Sequence, residues 1–142
     1  MKKLIPLLLV AILFVGCVDG GSRTTSEVAR VDAALRQFEK ATNILKENGE
    51  YDIAWAQENI LKLSYNKPSN PFWSLTMWYQ TERYVFKDWV VSLSGNNASV
   101  VLTYSTINSV DGTERPTGTK TFTMQKFGDT WRVNLAQFLN LE

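Results

Sequence analysis

The sequence predicts an α+β domain that follows an N-terminal export signal. Three observations carry this prediction: a continuous apolar run over residues 4–15, apolar residues at three- and four-residue steps between about 28 and 63, and strict alternation from Arg83 onward. Helices that come first and strands that come second are typical of the α+β class. With 142 residues, of which 44% are hydrophobic, the chain is long enough for one domain with a core of its own.

The N-terminus has the layout of a secretory signal. "MKK" is a short positive segment, "LIPLLLVAILFV" is wholly apolar, and Gly16 supplies a small residue near a cleavage point. As a helix, the apolar run would rise about 18 Å, well short of a hydrocarbon core of about 30 Å. A buried core helix or a short membrane anchor are the alternatives, but a core helix would show polar residues at helical spacing.

The end of this segment, "LFVGC", resembles the lipobox of bacterial lipoproteins, although Phe14 stands where Leu is commoner. The resemblance implies that diacylglycerol alkylates Cys17, which then becomes the mature N-terminus. The chain would divide into a signal peptide (1–16), a lipidated cysteine with a flexible tether (17–25) and a single α+β domain (26–142). The protein would then lie in the bacterial cell envelope, on a membrane. Val18, which is not Asp, implies the periplasmic side of the outer membrane if the cell is Gram-negative.

Two helices are predicted next. Thr24 and Glu27 form a T-x-x-E capping box, and Gly49 in "ENGE" suits a left-handed helix end. The apolar stripe of this first helix is Val28, Val31, Leu35, Phe38 and Leu45. A second helix is predicted from its N-cap Asp52 to about Leu63.

The sequence leaves the secondary structure of residues 65–80 undecided between helix, loop and strand. "YNKPSNP" breaks the second helix, and Asn70 could cap a short third helix through "FWSLTMWYQ". Its aromatic density fits a loop or a strand equally well.

Four strands follow, joined by turn-rich connections, so we expect an antiparallel meander. In "RYVFKDWVVSL", alternation places Val85, Trp89, Val91 and Leu93 on one face, with Lys87 breaking the pattern. "ASVVLTYSTI", "TKTFTMQKF" and "WRVNL" alternate in the same way.

The segments "VDAALRQFEKATNIL", "NNASVVLTYS" and "MQKFGDTWRVNLAQF" resemble the nuclear transport factor 2-like (cystatin-like) superfamily, and above all small bacterial lipoproteins with such a domain. The resemblance implies N-terminal helices in the concave face of a curved antiparallel sheet of about four strands, a cone-shaped fold. It leaves open a homodimer through the outer face of the sheet. Many such lipoproteins have no established activity, so the resemblance implies a fold more than a function.

Enzymes of this fold place Asp, His or Tyr inside the cone, and this chain contains no His. The remaining acid–base candidates are Asp52, Glu58, Glu82 and Asp88, with Tyr79, Tyr84 and Tyr104 as hydrogen-bond donors. Each carboxylate has a simpler structural interpretation, so we assign no catalytic residue, no cofactor and no metal ligand. From Cys17 onward the charge is 13 − 14 = −1, which argues against a nucleic-acid partner.

The aromatic residues suggest binding instead. The candidate pocket consists of Trp73, Trp78, Trp89, Tyr104 and Trp131, which could equally fill the space between helices and sheet. We therefore expect a membrane-anchored, non-catalytic domain that binds an envelope protein or a small apolar ligand. The alternatives are an isomerase- or dehydratase-type enzyme that uses Asp and Tyr, and a folded structural spacer.

Overall fold

The computed structural model describes residues 26–44, 46, 48–71 and 82–141. Two helices, α1 (26–42) and α2 (Ile53–Lys62), pack on a five-stranded sheet, and a short helix, α3 (Leu135–Phe138), closes the chain. The strands are β1 (Ser64–Tyr65), β2 (Glu82–Ser94), β3 (Asn97–Asn108), β4 (Gly118–Phe127) and β5 (Thr130–Asn134). The predicted α+β class is confirmed. The signal, Cys17, the tether, Thr24 of the capping box and the third-helix stretch 72–81 lie outside the described residues.

The sheet has the order β1-β5-β4-β3-β2. The four long strands form the antiparallel meander that the alternation predicts. The fifth strand, β1, adds to β5 in the parallel direction, with Ser64 opposite Val133. A strand of two residues is too short to show a period, so the sequence pattern could not predict it.

A β-bulge at Lys87 decides which side chains of β2 face the core. The register with β3 shifts between Phe86 and Asp88, because Lys87 is an extra residue in β2. Phe86, before the bulge, and Trp89, after it, therefore both lie on the core side of the sheet. The prediction that Val85 shares the face of Trp89 is wrong, because the extra residue reverses the alternation.

Helix α1 is shorter than the pattern predicts. The apolar stripe and "ENGE" predict a helix that continues past Leu45, whereas α1 ends at 42. The Thr42 hydroxyl and the Asn43 amide both donate to the carbonyl of Glu39, at 2.7 and 3.0 Å, and Ile44 adopts a left-handed φ of 53°. Side-chain bonds of this kind compete with helix continuation. The next helix begins as predicted, since the Asp52 carboxylate accepts from the Trp55 amide at 3.0 Å.

The core lies between the helices and one face of the sheet, and Phe138 sits at its centre. Its ring contacts Phe38 edge-on at 4.9 Å and Phe122 at 5.5 Å between centroids. Phe138 is fully buried, so the short helix α3 is fixed to the sheet by its aromatic side chain. Other fully buried side chains are Val31, Leu35, Ile60, Val100, Leu102 and Met124.

Candidate functional site

A lysine points into the core side of the sheet. In β4, Lys120 alternates with Phe122 and Met124, which are both buried, and lies opposite Leu102 of β3. Only 7% of Lys120 is exposed. Its ammonium group donates a hydrogen bond to the backbone carbonyl of Phe138, at the end of α3. The end of the short helix and the sheet are thus joined by a buried cation.

Three aromatic rings surround this ammonium group. Its Nζ lies 4.9 Å from the ring centroid of Phe138, 5.3 Å from Tyr84 and 5.8 Å from Tyr104. The two tyrosine rings also contact one another, 5.0 Å apart. Ring faces carry negative charge and attract a cation at these distances. We call Lys120, Tyr84, Tyr104 and Phe138 the lysine cluster.

Burial lowers the pKa of Lys120 to about 8, because the charged form loses its hydration. Among the described residues, no carboxylate lies within ion-pair distance of its Nζ. At neutral pH the group is still mostly protonated. The cluster can therefore attract an anionic group, and at mildly alkaline pH it can supply a neutral amine.

Sequence reasoning missed Lys120. It took the alternation in "TKTFTMQKF" as Phe122 and Met124 against threonines and left the lysine unassigned. The position of Lys120 in the strand could have predicted that it faces the core, since it precedes Phe122 by two residues and must share its face in a regular strand. A charged residue at an inward position of a strand is rare enough to indicate a site.

The structure places Trp131 far from Tyr104, although both belong to the predicted pocket. Tyr104 belongs to the lysine cluster and pairs with Gly118 of β4, whereas Trp131 pairs with Lys126 of β4. Gly118 and Lys126 are 126 − 118 = 8 residues apart, which is about 26 Å along β4 at 3.3 Å per residue. Trp131 is buried, and its indole donates to Glu27 at 3.2 Å.

Trp89 lies on the third strand from β5 and has partners on α1. Its indole donates to Asp32 at 2.8 Å, and the Arg36 guanidinium lies 4.2 Å above its ring. The other two members, Trp73 and Trp78, lie outside the described residues.

None of the four candidate carboxylates pairs with Lys120, and each has another partner among the described residues. Asp52 caps α2 and pairs with Lys46 at 2.8 Å, and that ammonium group lowers the pKa of Asp52. The other three have the following partners: Glu58 with Lys62 at 2.6 Å, Glu82 with Arg115 at 2.7 Å, and exposed Asp88 with the amide of Trp89 at 2.9 Å. Tyr84 and Tyr104 are in the cluster, while Tyr79 lies outside the described residues.

Groups that could hold a metal ion and helices that could span a membrane are both absent from the described ranges. Within them, no group of three or more carboxylate or cysteine side chains is placed to hold a metal ion. No helix in the same ranges is long and apolar enough to span a bilayer.

No family model matches the chain, and no curated protein is significantly similar to it. Among solved structures, a protein of unknown function from Mycobacterium tuberculosis is 11% identical, with a TM-score of 0.56 over 79% of this chain and 70% of that one. This likeness is one of fold alone.

Two further solved structures are similar to the chain. A protein of unknown function with a cystatin-like fold from Nostoc punctiforme is 13% identical, with a TM-score of 0.49 over 74% of this chain and 84% of that one. An NTF2-like protein with a cystatin-like fold from Novosphingobium aromaticivorans is 12% identical, with a TM-score of 0.46 over 82% of each chain.

Proposed function

We propose that this chain is a lipid-anchored protein of the bacterial cell envelope that binds a small, mainly apolar ligand with an anionic group. The anchor rests on the sequence, where an export signal ends at the lipobox-like cysteine Cys17. The binding function rests on one observation: Lys120 is a buried cation among aromatic rings.

The lysine cluster suits a ligand with two chemically different parts. A carboxylate or similar anion would pair with the Lys120 ammonium group, and such charge-assisted bonds are strong in a desolvated site. The rings of Tyr84 and Tyr104 would contact the apolar part. Tyr104 is half-buried, whereas the other members of the cluster are buried, so a ligand would approach beside its ring.

The carboxylates support binding rather than acid–base catalysis. A carboxylate general base needs a desolvated setting that raises its pKa, whereas the pKa of Asp52 is lowered and Glu58 and Glu82 are ion-paired. An isomerase or dehydratase would find Tyr84 and Tyr104 in the cluster, but the carboxylate of such a pair is not among its described members. A spacer would need no ligand, and the experiment below separates that alternative.

The ligand is tested on the full chain, expressed in a bacterial host and purified in a zwitterionic detergent. Native mass spectrometry of the wild type is expected to show a bound small molecule that is lost in Lys120→Met. The matched control is Lys87→Met, since Lys87 is exposed and its ammonium group pairs with Glu114, outside the lysine cluster. An apo wild type, or a ligand kept by Lys120→Met, would contradict the binding proposal and favour the spacer.

The anchor is tested separately. Growth with an alkyne-labelled fatty acid is expected to label the wild type but not Cys17→Ser, whose mass should retain residues 1–16. A Cys17→Ser chain that matures and partitions with membranes like the wild type would contradict the anchor. This outcome would leave the lysine cluster unaffected.

A further inference from the structure

A second candidate binding site lies outside the core. An open groove of about 670 Å³ lies between α2 and β5. Arg132 stands between Trp131 and Val133, which face the core, so its side chain leaves the opposite face of β5 and lines this groove. The groove is therefore separate from the lysine cluster.

The groove is cationic. Its described lining contains Lys62, Lys67 and Arg132 against one carboxylate, Glu58, so the formal charge is 3 − 1 = +2. Glu58 is already paired with Lys62 at 2.6 Å. Lys67 and Arg132 thus have no carboxylate partner among the described residues.

Arg132 is held as a donor in a fixed position. Its Nε atom is buried and has no hydrogen-bond partner in the described part of the chain. Its guanidinium group lies 5.1 Å from the ring centroid of Phe127, and that ring packs on Tyr65 at 5.6 Å. Since Nε is closed to the groove, an anion there would meet the outer N–H groups of the guanidinium.

We propose that this groove binds a phosphate group, as a phosphate monoester or diester, through Arg132 and Lys67. A guanidinium presents parallel N–H donors that match two oxygens of a phosphate, and a lysine adds a mobile point charge. The net charge of the groove matches that of a phosphate monoester, which carries about −1.5 to −2 at neutral pH.

The phosphate could come from a membrane lipid or from a soluble ester. Trp131, next to Arg132 in the chain, is bonded to Glu27, so the strand that carries Arg132 is joined to the start of α1. The eight residues from 18 to 25 can span at most about 28 Å, so the anchor proposed above would hold the groove within reach of lipid headgroups. The lipid source rests on that anchor, whereas the phosphate chemistry does not.

Binding is measured on the lipidated protein in dodecyl maltoside micelles, which contain no phosphate, by NMR titration with glycerol phosphate and inorganic phosphate. We expect shifts at residues lining the groove, and about a tenfold weaker affinity in Arg132→Gln, the loss expected for one charged hydrogen-bond pair. Lys67→Gln, at an exposed position that folding does not depend on, should weaken binding less. The control Arg115→Gln removes the same charge outside the groove and should bind as the wild type does.

The source of the phosphate is separated in a second arm with phosphatidylglycerol nanodiscs. If the groove resonances shift there without added phosphate, and shift back in Arg132→Gln, a lipid headgroup is the ligand. If they respond only to glycerol phosphate or inorganic phosphate, the ligand is a soluble ester. The proposal is overturned if folded Arg132→Gln and Lys67→Gln bind as the wild type does, or if no probe binds. Because Lys120 is untouched, ligand retention in native mass spectra remains an independent readout.

Discussion

The indole of Trp131 donates a hydrogen bond to Oε2 of Glu27 at 3.2 Å, across 104 positions in the sequence. The other carboxylate oxygen, Oε1, accepts from Nζ of Lys126 at 3.1 Å and from Arg30 at 3.2 Å. One carboxylate thus joins the start of α1 to the β4–β5 hairpin. This link fixes the start of α1 on the hairpin.

The first prediction follows from this carboxylate. Hydrogen bonds from Lys126 and then Trp131 lower the pKa of Glu27 below its ordinary 4.5. A lowered pKa means that the stabilisation is present above pH 4.5 and disappears as the pH falls through the folded-state value. Glu27→Gln should therefore have a lower Tm than the wild type at pH 7, and the difference should shrink as the pH falls below 4.5, as followed by circular dichroism.

Asp129→Asn is the control for Glu27. Asp129 is almost fully exposed and lies 3.9 Å from the same Arg30, so its removal takes away a charge but no hydrogen-bonded link. Its Tm at pH 7 should match the wild type. Equal losses in the two variants would show that net charge, rather than the link to Trp131, is responsible.

Local periodicity predicted the parts of the fold that depend only on residues close together in the sequence. Trp131 and Val133 alternate inward as "WRVNL" predicts, and Asp52 caps α2 because an N-cap needs only nearby amides. Lys87 was recognised as a break in the pattern. That the break is a bulge, which turns Tyr84 and Phe86 to the core, depends on pairing with β3 and could not be predicted from β2 alone.

The candidate sites were harder to predict, because charge compensation is a tertiary property. The sequence places Lys120 beside Phe122 but does not show that rings from β2, β3 and α3 meet around its ammonium group. The i,i+4 pair of Glu58 and Lys62 can be predicted from the helix, whereas the absence of an acceptor for Arg132 Nε among the described residues depends on tertiary structure. The predicted pocket was chosen by residue type, and its tryptophans at 89 and 131 lie at different ends of the sheet.

The second prediction concerns the alkaline stability of the domain. Because the pKa of Lys120 is about 8 in the folded state and 10.5 ordinarily, the unfolded chain holds one more proton between these values. The free energy of unfolding should therefore gain a contribution that rises with pH between 8 and 10.5, by at most about 1.4 kcal/mol per pH unit. Lys120→Met should remove this contribution, and urea titrations at several pH values would measure it.

The control for this experiment is Lys67→Met, which removes an exposed lysine. Its pH profile should keep the rise seen in the wild type. If the free energy of unfolding of Lys120→Met changes with pH as that of the wild type does, the pKa of Lys120 is not lowered in the folded state. The lysine would then be hydrated in solution.

The third prediction tests the centre of the core. Phe138 is fully buried and contacts the rings of Phe38, Tyr84, Phe86 and Phe122. Phe138→Ala should lower the free energy of unfolding by about 3–5 kcal/mol, the range for removing a buried aromatic ring. Leu141→Ala, three residues away and 53% exposed, should cost little by the same urea titration. Similar losses in both variants would place α3 outside the cooperative core.

The last prediction concerns the bulge. Without Lys87, the residues Phe86, Asp88 and Trp89 would pair with successive residues of β3 in an unbroken ladder, so β2 would alternate regularly and keep both Phe86 and Trp89 on the core side. Deletion of Lys87 should therefore change the free energy of unfolding by no more than about 1 kcal/mol in a urea titration, because it removes only an exposed ion pair and turns no apolar side chain outward.

The matched variant is Lys87→Ala, which keeps the bulge and removes only the exposed ion pair with Glu114. Both variants should unfold near the wild-type midpoint and keep the near-ultraviolet dichroism of packed aromatic side chains. If the deletion loses this dichroism while Lys87→Ala keeps it, Lys87 is not the extra residue of the ladder, and the position of the bulge in β2 is wrong.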